Sequence, residues 1–335
     1  MSFPLSIKQK YGNDPFDVSH YFDIEDEVKS THGQGYKAKD KVNGTKMFIT
    51  IFNQKLDFPD YNRMLIDYIV KIPSRISKLP GFVHLIDYYF SVEKNREKGW
   101  LITAYEQLEN GSLDKIFNRL RDKIKIPKFL NATVRSKLVF GIAAAMKSLH
   151  RMDIPFGFLC LSNVFLDKDY ECRIRFSPSD TTFAMFQIDK DFISSDFYFL
   201  SPELCSLSSN IEKPADVFSY GAILFALFEG EFPKLYDIQL LYNGAFLKKP
   251  AKVSDQYWKL ILKCMNNNPE LRPTFDEIVS ELRDDKFIYE EGTDMDALHE
   301  YQNRVDLPEL KEAHEMIQRL TKEVEQLKKQ LDSKA

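Results

Sequence analysis

Between residues 154 and 167 the chain reads IPFGFLCLSNVFLD, a loop whose polar members include Cys160, Asn163 and Asp167. An amide oxygen and a carboxylate are ligands for hard cations, and a thiol is a nucleophile once it has lost its proton. Asn163 alone makes a poor Mg²⁺ site, because that ion is usually held by at least one carboxylate together with phosphate oxygens. It reads instead as a turn residue that bonds backbone groups. Asp167, Asp169 and Asp180 lie nearby in sequence, but their spacing assembles no site. Cys160, Cys172, Cys205 and Cys264 are scattered and form no C-x-x-C pair. They read as small buried apolar groups in a reducing compartment. His20, His32, His84, His150, His299 and His314 show neither H-x-x-x-H nor Cys/His clustering, so no metal motif is expected.

The composition narrows the partners. The 335 residues include 46 Lys and Arg against 50 Asp and Glu, a formal net charge of -4, so no overall basic field is available to hold a nucleic-acid backbone. An apolar fraction of 44%, with 13% aromatic, is enough for a sizeable core. The length fits one two-lobed domain or two domains with a tail. The opening MSFPLSIKQK lacks the apolar centre of a signal peptide. The longest apolar run, VFSYGAILFALF at 217–228, is well short of the roughly 20 residues that span a bilayer, and it reads as a helix buried on all sides. No membrane association is expected, and the cytoplasm is the expected compartment.

The elements that must position the loop follow from periodicity. Residues 28–52 carry β-branched and aromatic runs around Asn43-Gly44, which predicts a hairpin. A helical stretch at about 60–72 is broken by Pro73 and Pro80-Gly81, and FVHLIDYYFSV and GWLITAYEQ give two further strands around EKNREK. From GSLDKIF onward the pattern is helical, with Val134, Leu138, Ile142, Ala145 and Leu149 on one face. Further helices are expected at 216–228, 255–266 and, after Pro273, 274–283. In the tail, Leu310, Ala313, Ile317, Leu320, Val324, Leu327 and Leu331 recur at the 3.5 period of a coiled-coil seam. The alternative for that tail is an amphipathic helix folded back on its own domain.

Motifs in order along the second half sharpen the picture: LENGSLDKIF, SNVFLD, Ser201-Pro202-Glu203, KPADVFSYGAILFALFEGEFP and NPELRPTFDEI. With them, residues from about 22 to 285 resemble a eukaryotic protein kinase domain. The resemblance implies an α+β, bilobal fold with a small β-rich lobe at 22–107 and a larger helical lobe at 108–286. An N-terminal extension (1–21), a linker (287–306) and a helical tail (307–335), a candidate coiled coil, would flank it. It also implies a structural ion pair between Glu203 and Arg272. Asp216 is expected to cap free N–H groups at the start of its helix and to steady the loop at 156–163.

Phosphoryl transfer needs a Lys on the phosphates, a Glu to hold it, carboxylates on Mg²⁺ and an Asp to orient the attacking hydroxyl. Aligned on the family pattern, this chain has Thr50 at the Lys position, and Asp67 and Val70 lie nearest the Glu position. Phe156-Gly157-Phe158 replaces His-Arg-Asp, Cys160 replaces the following Lys, and Phe176-Ser177-Pro178 replaces Asp-Phe-Gly. Of the glycine-rich loop, Gly33 alone falls on a glycine position; Gly33 and Gly35 otherwise read as a turn. A Phe side chain accepts no hydrogen bond from a hydroxyl, so no catalytic residue is assigned. Phe156, Phe158, Leu159, Phe165 and Phe176 are expected to fill the cleft.

The resemblance therefore implies a degenerate member, a pseudokinase without cofactor. It would bind protein partners through its helical lobe and tail, with homodimerisation through the tail among the options. Two other readings stay open. One is an atypical ATP-dependent Ser/Thr kinase; the other is a non-catalytic nucleotide sensor using Gly33, Tyr105, Glu106 and Asn163. Ser194, Ser195 and Tyr198 are ordinary loop residues and are not counted as phosphorylation sites.

Overall fold

Alternating β-branched and aromatic residues in KMFITIF and KGWLITAYE place these runs side by side at the middle of a sheet. The computed structural model describes residues 22–30, 33–52, 56–57, 75–76, 79–92, 98–121, 128–176, 199–205, 211–229, 248–250 and 253–306. The first lobe contains β1 (Phe22–Ser30), β2 (Gly33–Asp40), β3 (Lys46–Phe52), β4 (Leu56–Asp57), β5 (Leu85–Val92) and β6 (Lys98–Glu106). Their order is β1-β2-β3-β6-β4, with β5 also paired to β6, and every pairing is antiparallel. Asn43-Gly44 sits in the β2–β3 turn. Asp40 closes that turn by accepting from Gly44 N–H through its carbonyl at 2.8 Å and from Val42 N–H through its carboxylate at 2.7 Å. Ala38, Met47, Ile49 and Ala104 are buried on the sheet's inner face.

The second lobe begins with β7 (Gly111–Ser112) and α1 (Leu113–Arg121), followed by α2 (Ala132–Arg151). β8 (Val164–Leu166) and β9 (Cys172–Ile174) join β7 in a three-stranded sheet. The short α3 (Pro202–Cys205), then α4 (Lys213–Glu229), α5 (Asp255–Cys264), a 3₁₀ turn (Pro269–Leu271), α6 (Phe275–Arg283) and α7 (295–306) complete the described chain. Local chemistry sets the helix starts. Asn131 accepts from Val134 N–H at α2, and Thr274 with Glu277 forms a capping box at α6. α4 is buried from Ala215 to Phe228, as its all-round apolar sequence requires. No helix among the described residues is long and apolar enough to cross a membrane.

The sequence pattern gave α2 one apolar face, but the helix is buried from Leu138 to His150 on every side. The segment 287–306, read from sequence as a linker, is the reason. Phe287, Tyr289, Leu298 and Tyr301 join the main core, and Phe287 packs edge-on against Tyr257 at 5.3 Å. Tyr301 lies over Gly141, where an added Cβ would meet its hydroxyl oxygen at 2.1 Å. Glycine at 141 is thus what lets α7 approach α2. The buried Asp306 carboxylate takes Lys147 of α2 on one oxygen and Arg283 of α6 at 2.9 Å on the other, while Arg304 pairs with Glu171. These long-range ion pairs convert a charged, linker-like sequence into a packed helix. The extension 1–21, the helical stretch at 60–72, most of the EKNREK loop and the tail 307–335 lie outside the described residues.

Glu203 of α3 and Arg272 lie far apart in sequence and meet as a two-pronged pair, Nη1–Oε1 2.5 Å and Nη2–Oε2 2.9 Å. Arg272 also donates to the carbonyls of Asn266 and Pro214 and stacks over Phe218. Burial raises the Glu203 carboxyl, and the Arg272 hydrogen bonds, a backbone hydrogen bond and the Arg272 charge, with smaller help, together more than offset this, leaving it below its ordinary value of 4.5.

Two stability predictions follow from these pairs. Asp306→Ala removes the buried carboxylate that Lys147 and Arg283 share and is expected to cost about 3–5 kcal/mol in urea unfolding; an unchanged midpoint would mean that α7 is not part of the cooperative unit. The depressed Glu203 carboxyl contributes stability that is present above its ordinary value and is lost as pH falls through its folded value. The acid limb of the stability–pH curve should therefore be shallower in Glu203→Gln, and identical limbs would remove this pair from the acid response.

Candidate functional site

The loop that follows α2 is held from below by one carboxylate. Asp216, fully buried in α4, accepts from Phe156 N–H at 2.7 Å, from Gly157 N–H at 2.6 Å and from His150 Nε2 at 2.8 Å. Gly157 has φ +83°, a left-handed conformation that glycine adopts without steric cost. Asp216 was expected also to cap its own helix. It does not, because α4 starts at Lys213 and both carboxylate oxygens of Asp216 are taken by the loop and His150.

The far end of the loop is tied by Asn163. Its Oδ1 accepts from Cys160 N–H at 2.8 Å and from the Cys160 thiol at 3.0 Å, and its carbonyl accepts from Arg175 N–H at 2.9 Å. The amide oxygen is therefore engaged within the turn. Between these anchors the loop turns aromatic and apolar groups inward: Phe156, Phe158, Leu159 and Cys160 are all buried. Phe176, just after β9, is buried too, and its ring meets that of Phe156 edge-on at 5.1 Å and 88°. Tyr105, at the end of β6, donates its hydroxyl to the Phe176 carbonyl at 2.8 Å, so the two lobes are bonded behind the cleft.

Thr50 is buried on β3, opposite Gly35 of β2 and Thr103 of β6. Lys46 begins the same strand but is exposed and opposite Lys39. Gly33 and Gly35 are strand residues of β2, which corrects their reading as a turn; Gly33 pairs with Ser30 at the hairpin end. Ser177, Pro178, Asp180, Ser194, Ser195 and Tyr198 lie outside the described residues.

The expected filling of the cleft holds around Phe158 and Phe176 but not throughout. A cavity of about 120 Å³ remains on the side of the strand that joins the lobes, walled by Phe48, Gln107, Leu108, Asp114, Phe165 and Arg175. Tyr105 and Glu106 border it; Asn163 does not. Glu106 is itself engaged, its N–H donating to His84 carbonyl and its carboxylate accepting from His84 N–H. The Arg175 guanidinium faces the ring of Phe48, from β3, at 5.6 Å and the ring of Phe165, from β8, at 5.0 Å. It thus spans the two lobes by cation–π contact.

Sequence reading missed Arg175, Gln107 and Asp114. The alternation in CRIRF, with Cys172, Ile174 and Phe176 buried and Arg173 and Arg175 partly exposed, was a signal that Arg175 faces away from the core. That this outward face meets Phe48 depends on packing between lobes.

Among the described residues, three that the sequence reading sets at the nucleotide and metal positions do not fit ATP with Mg²⁺. Thr50 offers no cation to the phosphates, Phe176 presents a ring in place of a carboxylate, and the Asn163 oxygen already has its donors.

Comparison with known proteins places this geometry. Residues 67–282 match the family model described as protein tyrosine and serine/threonine kinase. "Receptor like protein kinase S.3" of Arabidopsis thaliana is 26% identical over 280 residues, 77% of this chain and 77% of that protein. "Serine/threonine-protein kinase BRI1-like 1" of the same plant is 26% identical over 225 residues, and the matched part is 19% of its length. A Dictyostelium discoideum protein named "Probable inactive serine/threonine-protein kinase" is 29% identical over 197 residues, 54% of this chain and 16% of that protein. With a β-sheet lobe, a helical lobe, a loop anchored by Asp216 and a family match over residues 67–282, the chain belongs to the protein kinase family.

Proposed function

We propose that this chain is a non-catalytic kinase-family protein, a pseudokinase that works by binding other proteins. One observation carries the reading: Phe158 and Phe176 stand at the family positions of the base and of a metal ligand, and both are buried. Their neighbour Phe156 packs edge-on against Phe176. A buried aromatic side chain contributes roughly 1.5–3 kcal/mol to folding, so these replacements stabilise the domain where charged groups would have to be solvated or paired. Thr50 in the place of the phosphate Lys is consistent with the same loss. The printed name of the Dictyostelium relative, "probable inactive", agrees with it.

The anchors that shape the loop are retained while its charged groups are replaced, which suits a domain used as a surface. Partners would meet the helical lobe and the tail, whose 3.5-residue apolar repeat suits a second copy of the chain. A cytoplasmic setting fits the buried thiols, with Cys172 pushed up to about 12 by burial and so held as a protonated, inert group.

Two measurements test the reading. In thermal unfolding with ATP, with and without Mg²⁺, no shift is expected; a ligand at about 100 times its dissociation constant would add roughly 2.7 kcal/mol. A metal-dependent shift would revive the kinase reading, and a metal-independent one would favour the nucleotide sensor. Ending the chain after Asp306 should lower the number of chains per particle measured by light scattering, and an unchanged number would remove self-association through the tail.

A further inference from the structure

α7 ends at Asp306, whose carboxylate is held by Lys147 of α2 and by Arg283 of α6. The chain therefore leaves the helical lobe at a fixed point, and Leu307, Pro308 and Glu309 alone separate it from Leu310, the first residue of the apolar seam. The tail itself lies outside the described residues, and its sequence assigns heptad positions. Leu310, Ile317, Val324 and Leu331 fall at a, and Ala313, Leu320 and Leu327 at d. β-Branched Ile317 and Val324 at a, with Leu320 and Leu327 at d, form the pattern that favours two parallel strands.

The flanking charges select the same arrangement. In a parallel pair each g residue meets the e residue of the next heptad in the other helix, which sets Glu323 against Lys328 of the second copy. Glu309 then meets His314 and Met316 meets Thr321, so no like charges face each other. An antiparallel pair sets g against g and e against e. Glu323 would there have Glu, Met or Gln opposite and Lys328 would have His, Thr or Lys, so neither finds an opposite charge. A fold-back onto the chain's own domain needs an apolar stripe about 32 Å long at helical rise to receive the seam. Among the described residues the exposed large apolar side chains are Ile24, Val42, Leu271, Ile288 and Met295, too few and too scattered along the chain to form it.

We propose that the tail joins two copies of this chain as a parallel, in-register, two-stranded coiled coil. The pairing rests on the self-association proposed above and adds to it strand number, direction and register. Helices of such a pair lie about 8–10 Å apart, and the steps from Asp306 to Leu310 span at most roughly 14 Å in each chain. The two Asp306 residues therefore stay within roughly 40 Å of each other, and both helical lobes sit at the same end of the rod. A partner that carries the same contact twice meets both lobes at once, an avidity that one lobe alone does not give.

The test uses the full chain. Light scattering should give two chains per particle, and Leu320→Glu, which sets a charge in the seam, should give one. Lys328→Glu should weaken the dimer roughly tenfold, and adding Glu323→Lys should restore it; these two variants carry the comparison if Leu320→Glu does not fold. Direction is read by mild oxidation of cysteines placed in the tail, with the unsubstituted chain as the blank for its own thiols. Leu331→Cys should give a covalent dimer, and an equal mixture of Leu310→Cys and Leu331→Cys chains should give no disulfide joining one variant to the other. The reverse pattern means an antiparallel pair, which overturns the proposal and leaves self-association standing. So do three or more chains per particle, or a charge swap that restores nothing. One chain per particle at every concentration removes the proposal and the self-association together.

Discussion

A carboxylate removed from water is costly unless its oxygens are satisfied, and Asp216 meets that condition by gathering its donors from the end of α2 and from the loop that follows it. The arrangement fixes the path of residues 156–157 relative to α4, with Gly157 supplying the backbone conformation that the path requires. Everything above the loop inherits this reference. Phe158 and Cys160 are set inward, Asn163 closes the turn, and its carbonyl receives Arg175 N–H, which puts the Arg175 side chain between the lobes.

How far these features were legible in the sequence depends on the distance over which their causes act. The β2–β3 hairpin is written locally in Asn43-Gly44, and α4 in an unbroken apolar run, so both were readable. The frame of the candidate site was readable through motifs that carry their own partners, Glu203 with Arg272 and Asp216 with its loop. α7 was not. Its sequence is rich in charge, and burial becomes favourable because Lys147, 159 residues from Asp306, and Arg283 supply counter-ions. Arg175 was hidden for a similar reason, since its neighbours Phe48 and Phe165 come from strands in different lobes.

The extension after α6 also changes what counts as the core. Gly141 and Tyr301 mesh so closely that α2 has no outward face left from Leu138 to His150. Tyr301 places a buried hydroxyl there with no hydrogen-bond partner, a cost that the surrounding packing and the Asp306 ion pairs offset. The helical lobe is therefore completed by residues that follow the last recognisable family motif.

The two bridges between the lobes, Tyr105 to the Phe176 carbonyl and Arg175 against Phe48 and Phe165, have a consequence for recognition. Lobes that swing freely present an ensemble, and a partner selecting one member is weakened in proportion to how rarely that member occurs. Two such bridges narrow the ensemble toward a single basin. A partner would then dock against a surface already in its bound shape, and its dissociation rate would register its contacts rather than the cost of assembling them.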